Sequence, residues 1–398
     1  MRLNGYFGRT WNFVNDSRSA PPNLPPGTVT WAEVDLAAIA ANIQSFCRFV
    51  GPRVQVIAVV KANAYGHGAV PVSRALEIEG ARWFAVSNTA EGAELRRAGI
   101  QGRILVMGGF IPPEMDAFFE HSLTPAVHSI ESLLALEQRA AALARPLAVH
   151  IKLDSGMGRL GSREPAADIA RAAAGLRFLQ IEGLMSHLAS ASDFVRGQNE
   201  EQFAAFEEAL ETLAAAGLRP AIIHLASSAP VCYGLARAFH HLVRTGLALY
   251  GYAPEPRGDA PPLQAALRPA LAWKARIVEV KDIPAGAPVG YNARWRAPRD
   301  SRIAVVAAGY ADGVPHTLAG RGHVLAAGRI APIVGAVSMD VITVDVTECP
   351  PLVRGDAVTL IGEEGEARHD AADFAREAGV IPYAVLCAIG NRVVRCYR

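Results

Sequence analysis

The residues best placed to do chemistry in this 398-residue chain are few. Only four of its 39 basic residues are lysines (Lys61, Lys152, Lys274 and Lys281), so a reaction needing a primary amine has few candidates. Lys61 directly follows the apolar run VQVIAVV (54–60) and opens the stretch KANAYGHG. At the end of a buried strand an ammonium loses hydration, which lowers its pKa and raises the share of free amine. A free amine can condense with an aldehyde. The plainer alternative is a lysine that binds a phosphate or carboxylate. Tyr65, in a glycine-flanked loop, can donate to an anion, whereas His67 reads as structural.

The stretch KLDSGMGRLG (152–161) sets Lys152 and Arg159 seven residues apart across a glycine-rich turn. Arg159 can reach over the same mouth as Lys61, or the glycines can simply serve a tight turn. Lys152 shares strand parity with His150 and Asp154. If buried, it needs a negative partner. His187 closes EGLMSH, and Ser227 and Ser228 follow the run around His224. Paired hydroxyls at a strand end suit a phosphate. Arg244 stands beside Gly246 and Leu247, whose N–H groups can face an anion. An amine, a phosphate cup and an arginine around one mouth point to a phosphate-bearing aldehyde, pyridoxal phosphate. Serine hydrolysis lacks its GxSxG elbow. Metal catalysis by His187 and His224 lacks a carboxylate set, and the five cysteines form no CxxC pair.

These residues need a frame that brings strand ends together. Runs such as VQVIAVV, WFAVS, RILVMGG, LTPAVHS, PLAVHIKLD, FLQIEGLMS, AIIHLAS and VRTGLALYG make eight strands, most separated by helix-like stretches. Eight is the closure number of a (β/α)8, TIM-like barrel; a doubly wound sheet is the alternative. The first helix is expected at DLAAIAANIQSFCRFVG, capped by Asp35 and stopped by Gly51. After PEPRGDAPPLQ (254–264) the texture changes to short β-rich runs, with one late helix at DAADFAREAG. The expected division is an N-terminal extension over 1–28, an α/β barrel that binds the cofactor over 29–265, and a mostly β domain over 266–398. Lys and Arg total 39 against 38 Asp and Glu, with no basic stripe, so nucleic-acid binding is not expected. No secretory signal or 18-residue apolar run is present, so a cytoplasmic protein without a membrane span is the expectation.

Taken in order, AVVKANAYGHGA, KLDSGMGRLG, HLASSA, RTGLALYG, GYADG and GAVSMD closely resemble the alanine racemases, fold-type III pyridoxal-phosphate enzymes. The likeness runs from about residue 30 to the C-terminus. It implies that Lys61 holds the cofactor and serves as one of two catalytic bases, on the D-side hydrogen. The opposite base would be Tyr291 in GYNARW, contributed by the partner subunit of a homodimer. Tyr65, Ser228, Gly246, Leu247 and Tyr383 match the phosphate cup. Arg244 matches the arginine facing the pyridine nitrogen, and His187 the histidine near the ring. Arg159 matches the arginine that orients the substrate carboxylate, and Lys152 a lysine often carbamylated, whose carbamate would supply the missing negative partner for Arg159. Tyr310 and Met339, with Asp340 beside them, match partner-subunit residues at the substrate entrance. Ser227 and Ser338 depart from the Asn and Cys that many members carry.

Racemisation needs a base on each face of Cα, because one group removes a proton and another returns one. The resemblance therefore implies interconversion of L- and D-alanine, with supply of D-alanine for peptidoglycan as the role. The alternatives are a racemase for another small amino acid such as serine, a same-fold decarboxylase, and a non-catalytic cofactor-binding protein. The decarboxylase would be expected to carry a GGG-type phosphate loop, and the cofactor-binding protein would need neither Tyr291 nor a β domain.

Overall fold

The computed structural model describes residues 24–398, so positions 1–23 of the expected N-terminal extension lie outside the described residues. Strand β1 (Thr30–Val34) precedes eight parallel strands. These are β2 (Gln55–Val59), β3 (Trp83–Val86), β4 (Arg103–Val106), β5 (Thr124–Val127), β6 (Leu147–Lys152), β7 (Leu179–Met185), β8 (Ile222–His224) and β9 (Leu242–Thr245). They pair in the order β8-β7-β6-β5-β4-β3-β2-β9. The remaining seam is bridged by single hydrogen bonds, from His241 N–H to the Ile223 carbonyl (2.9 Å) and from Arg244 N–H to the Ala226 carbonyl (3.0 Å). The result is a nearly closed barrel. Its strands are short and largely apolar because helices cover the outside while side chains fill the inside. All four residues of β3, for example, are buried.

The first helix (Leu36–Val50) forms where its caps predict. The Asp35 carboxylate accepts from Ala38 N–H at 2.8 Å, and Gly51 leaves the helix at φ +79°. Ile39, Ile43 and Phe46 lie along one face and are buried. Each contributes about 1.5–3 kcal/mol by leaving water.

Beyond the barrel, β10 (Leu271–Ile283) starts a nine-stranded sheet. Pairing of the strand Ala357–Glu364 with β10 closes six of its strands into a second ring. The sequence reading assigns residues from 29 onward to the barrel, whereas β1 lies between β10, antiparallel, and Val394–Tyr397, parallel. The eight places in the barrel ring are taken by β2–β9, so the buried run TWAEV finds its ladder partners in the other sheet. β1 and the last strand thus meet in one sheet, and Leu36 N–H donates to the carbonyl of Arg398 (2.9 Å).

The late helix is present as Ala371–Ala378, capped by the Asp370 side chain. A second helix follows at Pro382–Ala388, where the sequence reading gives only a β-domain segment. Proline at its first position carries no N–H to waste and presets φ for the turn.

Candidate active site

The C-terminal ends of the barrel strands converge on a cleft of about 670 Å³, a size suited to a cofactor with a small substrate. Lys61, Tyr65, Lys152, Arg159, His187, Ser228, Arg244, Gly246, Leu247 and Tyr383 all line it, as does Ser227. Each barrel residue sits at or just beyond the end of its strand, where a parallel barrel points side chains into the mouth.

Lys61 opens an unusual turn. Ala62, Asn63, Ala64 and Tyr65 hold φ between +52° and +54°, a left-handed turn without glycine. Such a run is costly for L-residues and persists only when surrounding bonds determine it. Ala62 N–H donates to the Glu91 carboxylate (2.8 Å), and the Asn63 side-chain carbonyl accepts from Ala69 N–H (2.8 Å). Arg395, from the last strand, donates to the Gly66 carbonyl (3.0 Å), so the β domain clamps the loop from the far side. A Cβ on Gly66 would lie 2.1 Å from the Leu386 carbonyl oxygen, which explains glycine at this crossing. Burial, then the charge of Arg159, lowers the pKa of Lys61.

The cup is built by close approach. The Tyr65 ring lies 5.0 Å from Tyr250 and 6.0 Å from Tyr383, centroid to centroid. Ser228 Oγ accepts from Gly246 N–H at 2.9 Å. A Cβ on Gly246 would come within 2.5 Å of the Tyr65 hydroxyl, so only glycine leaves this corner open.

Arg244 is fully buried and held from several sides. It donates to the carbonyls of Ser186 (2.7 Å), Leu225 (2.9 Å) and His224 (3.0 Å), and reaches His224 Nδ1 (2.9 Å) and His187 Nδ1 (3.3 Å). Burial lowers its pKa to about 10, which leaves it charged at neutral pH. From here a chain of side chains runs down the barrel. His224 Nε2 meets His150 Nδ1 at 2.8 Å, and His150 Nε2 lies 3.4 Å from Glu182. Glu182 is held in turn by a two-pronged pair with Arg103. Arginine can only donate and a carboxylate can only accept, so the ends fix both tautomers. His224 carries its proton on Nε2 and His150 on Nε2. Burial keeps both imidazoles below their usual pKa, and hence neutral. Burial raises the pKa of Glu182, but His150 and Arg103 outweigh it and bring it to about 2.

Lys152 is 5% exposed, as its strand parity implies. Burial, then Arg244 and Arg159, pulls its pKa down to about 8. Asp154 opposes this, but its carboxylate is occupied by the N–H groups of Gly156, Met157 and Gly158 and by Arg163.

Tyr291, Tyr310 and Met339 are not in the cleft. They lie on the β domain, 71%, 47% and 53% exposed. Sequence reasoning missed Cys387, which lines the cleft one turn beyond Tyr383 on the helix Pro382–Ala388. It also missed Glu182 and Arg103, whose link to the site exists only through barrel closure.

Comparison with known proteins gives the same answer for both domains. The family profiles for the alanine racemase N-terminal domain and C-terminal domain match residues 34–254 and 270–397. The alanine racemase of Symbiobacterium thermophilum is 41% identical over 370 residues, covering 92% of this chain and 97% of its own. That of Halothermothrix orenii is 39% identical over 374 residues, covering 93% and 97%. Among solved structures, the alanine racemase of Streptomyces lavendulae superimposes with a TM-score of 0.86 at 34% identity, covering 94% of this chain and 98% of that one. The Bartonella henselae enzyme with covalently bound pyridoxal phosphate gives 0.83 at 30% identity, covering 93% and 99%.

Proposed function

The chain belongs to the alanine racemase family, and from that premise we propose how its own residues divide the work. It is an enzyme that interconverts L- and D-alanine with pyridoxal 5'-phosphate as cofactor. The cleft fits that group on structural grounds. Gly246 leaves a gap that any side chain would close, beside the hydroxyls of Tyr65 and Ser228. Arg244 is a donor-only group fixed at the cleft wall, and Lys61 is a half-buried amine with a lowered pKa.

Tyr65, Ser228, Tyr383 and the backbone at Gly246 and Leu247 would hold the phosphate. Arg244 would face the pyridine nitrogen, with His187 packed near the ring, and Lys61 would hold the aldehyde carbon. When bound, pyridoxal phosphate draws electron density away from the substrate Cα and so acidifies its hydrogen. Lys61 would take and return the proton on the D face, its free-amine share raised by burial and by Arg159. Arg159 would pair with the substrate carboxylate. Tyr291 of the partner subunit would act on the L face, with Tyr310 and Met339 narrowing the entrance. Their exposure on this chain supports such a role, because residues that face solvent on one chain are free to complete another chain's cleft. The assembly we infer is a homodimer in the cytoplasm, in which the barrel carries the cofactor and the β domain reaches across. Among the described residues, no helix is long and apolar enough to cross a membrane.

Lys152, with a pKa of about 8, would be about one-tenth free amine at pH 7. That amine can take up carbon dioxide, and the resulting carbamate would supply the anion that Arg159 and Arg244 otherwise lack there. Supply of D-alanine for peptidoglycan is the cellular role that this reading implies.

The observation that carries the proposal is the meeting of Lys61, the Tyr65–Ser228–Gly246 cup and Arg244 in one cleft. The test is chiral analysis of L-alanine incubated in D2O with the protein and pyridoxal phosphate. D-Alanine bearing deuterium at Cα is the expected product, and a parallel run with L-serine reads the specificity. Alanine that stays unlabelled and purely L would refute the assignment.

A further inference from the structure

Away from the cleft, the β domain brings together three side chains that the racemase reaction does not use. His323 opens the strand His323–Ala326, His369 closes the strand Ala367–His369, and Glu377 sits on the helix Ala371–Ala378. The two imidazoles stack with centroids 3.9 Å apart and planes 27° apart. One carboxylate serves both rings: His323 Nδ1 lies 2.7 Å from one oxygen of Glu377, and His369 Nε2 lies 3.4 Å from the other. One donor atom from each residue falls within 4.8 Å of the other two.

His369 is the telling member. It is 1% exposed, and neither ring nitrogen makes a well-formed hydrogen bond. Two imidazoles this close resist being charged together. A neutral His369 has one N–H to offer: it can turn it toward Glu377 only over 3.4 Å, and the other buried ring nitrogen is then left as a lone pair with no donor. A cation bound by all three would take up one nitrogen of each ring and the Glu377 carboxylate together.

We propose that His323, His369 and Glu377 form a site for one divalent transition-metal ion of the zinc class per chain. Two imidazole nitrogens and one carboxylate oxygen are donors that favour zinc over magnesium or calcium, which prefer all-oxygen sets. His323 and Glu377 are 21% and 23% exposed, so the ion has a path in and a water can complete the tetrahedron. The donors must draw in to about 2.0–2.2 Å from the metal, and these two partly exposed side chains are the ones free to move. The neighbouring charges offset one another: Asp370 pairs with Arg368 (2.8 Å) and Asp373 with Arg376 (2.9 Å), so both nearby arginines are already engaged. Bound metal would tie the helix Ala371–Ala378 to two strands that precede it.

The test uses the cofactor-loaded enzyme, freed of metals by chelator dialysis and titrated with zinc chloride by calorimetry. One zinc ion per chain is expected, with a matching rise in thermal midpoint and little response to magnesium. Glu377→Gln and His323→Ala should each weaken the zinc affinity by about 100-fold or more, since loss of even an outer partner costs roughly 10–100-fold. Both should keep racemase activity, and both replace partly exposed side chains, so neither depends on refilling the core. Absence of a saturable zinc site in the unaltered enzyme would overturn the proposal. So would zinc binding that both variants retain, or magnesium binding of equal strength.

Discussion

The left-handed turn after Lys61 offers the sharpest test of how the fold sets up its chemistry. Ala62 lies in that turn with φ +52° and ψ +50°, and its methyl is exposed. An L-residue held there costs about 1–2 kcal/mol relative to the right-handed region. Glycine removes that cost but loses about 0.5–1 kcal/mol through its freer unfolded chain. Ala62→Gly should therefore stabilise the protein by roughly 0.5–1 kcal/mol, since the methyl it removes packs against no core. Ala62→Val should do the reverse by at least about 1 kcal/mol, because a β-branched side chain tolerates positive φ worst. Asn63→Ala removes the 2.8 Å bond to Ala69 N–H and a residue type suited to this conformation, and should cost about 1–2 kcal/mol. Urea unfolding at fixed protein and cofactor concentrations reads all three. With m of about 3 kcal/mol/M, the midpoint should move by a few tenths of a molar. The turn aims Lys61, so Ala62→Gly should also lower kcat several-fold while the midpoint rises. A lower midpoint for the glycine variant, or an unchanged one for the valine variant, would refute the claim that the turn stores strain.

The other expectations concern the cup, the buried lysine and the assembly. Gly246→Ala places a Cβ 2.5 Å from the Tyr65 hydroxyl, so equilibrium dialysis should show cofactor affinity reduced at least about 10-fold. Adding Tyr65→Phe removes the offending oxygen, and the double variant should lose less than the sum of the two single losses. Lys152 is depressed from 10.5 to about 8 on folding. Between those values the unfolded chain binds more protons, so stability should rise with pH through this window, by an amount on the order of 3 kcal/mol, and be flat below it. Urea midpoints in carbon-dioxide-free buffer should show that rise, Lys152→Met should flatten it, and equal slopes would exclude an unmodified amine there. Finally, mixing Lys61→Ala and Tyr291→Phe subunits under conditions of exchange should restore about a quarter of the unaltered activity. Half of the random dimers are mixed, and each mixed dimer has one intact cleft. No recovery would place both bases on one chain.

The barrel was legible because its strands are written as short apolar runs between capped helices, and all eight runs became strands. The cleft was legible for the same reason: a residue at the end of such a run must face the mouth. That rule alone points Lys61, Arg159, His187, Ser228 and Gly246 at one another. It fails for β1, whose five buried residues look like one more barrel strand until the ring is seen to be full. It fails too for Pro382–Ala388, where a helix places Tyr383 and Cys387 on the cleft from the β domain. Helix or strand is undecided in so short an apolar segment until its neighbours are known. His323, His369 and Glu377 left no local pattern, since three separate elements deliver them.

The buried chain from Arg244 to Glu182 shows what lies between these cases. Glu182, His150, His224 and Arg244 come from β7, β6, β8 and β9, so no spacing along the sequence relates them. Closure of the barrel does, because neighbouring strands turn alternate residues into the same interior layer. Once they meet, the chemistry of the end groups leaves no freedom. A donor-only guanidinium at one end and an acceptor-only carboxylate at the other dictate the proton position on each imidazole between them. Arg244 then has three backbone carbonyls and two imidazole nitrogens to hold its donors, and no base near enough in strength to take its proton. It therefore faces the cleft as a fixed positive charge that can donate a hydrogen bond but not surrender a proton, a property of the whole ring of strands rather than of the arginine alone.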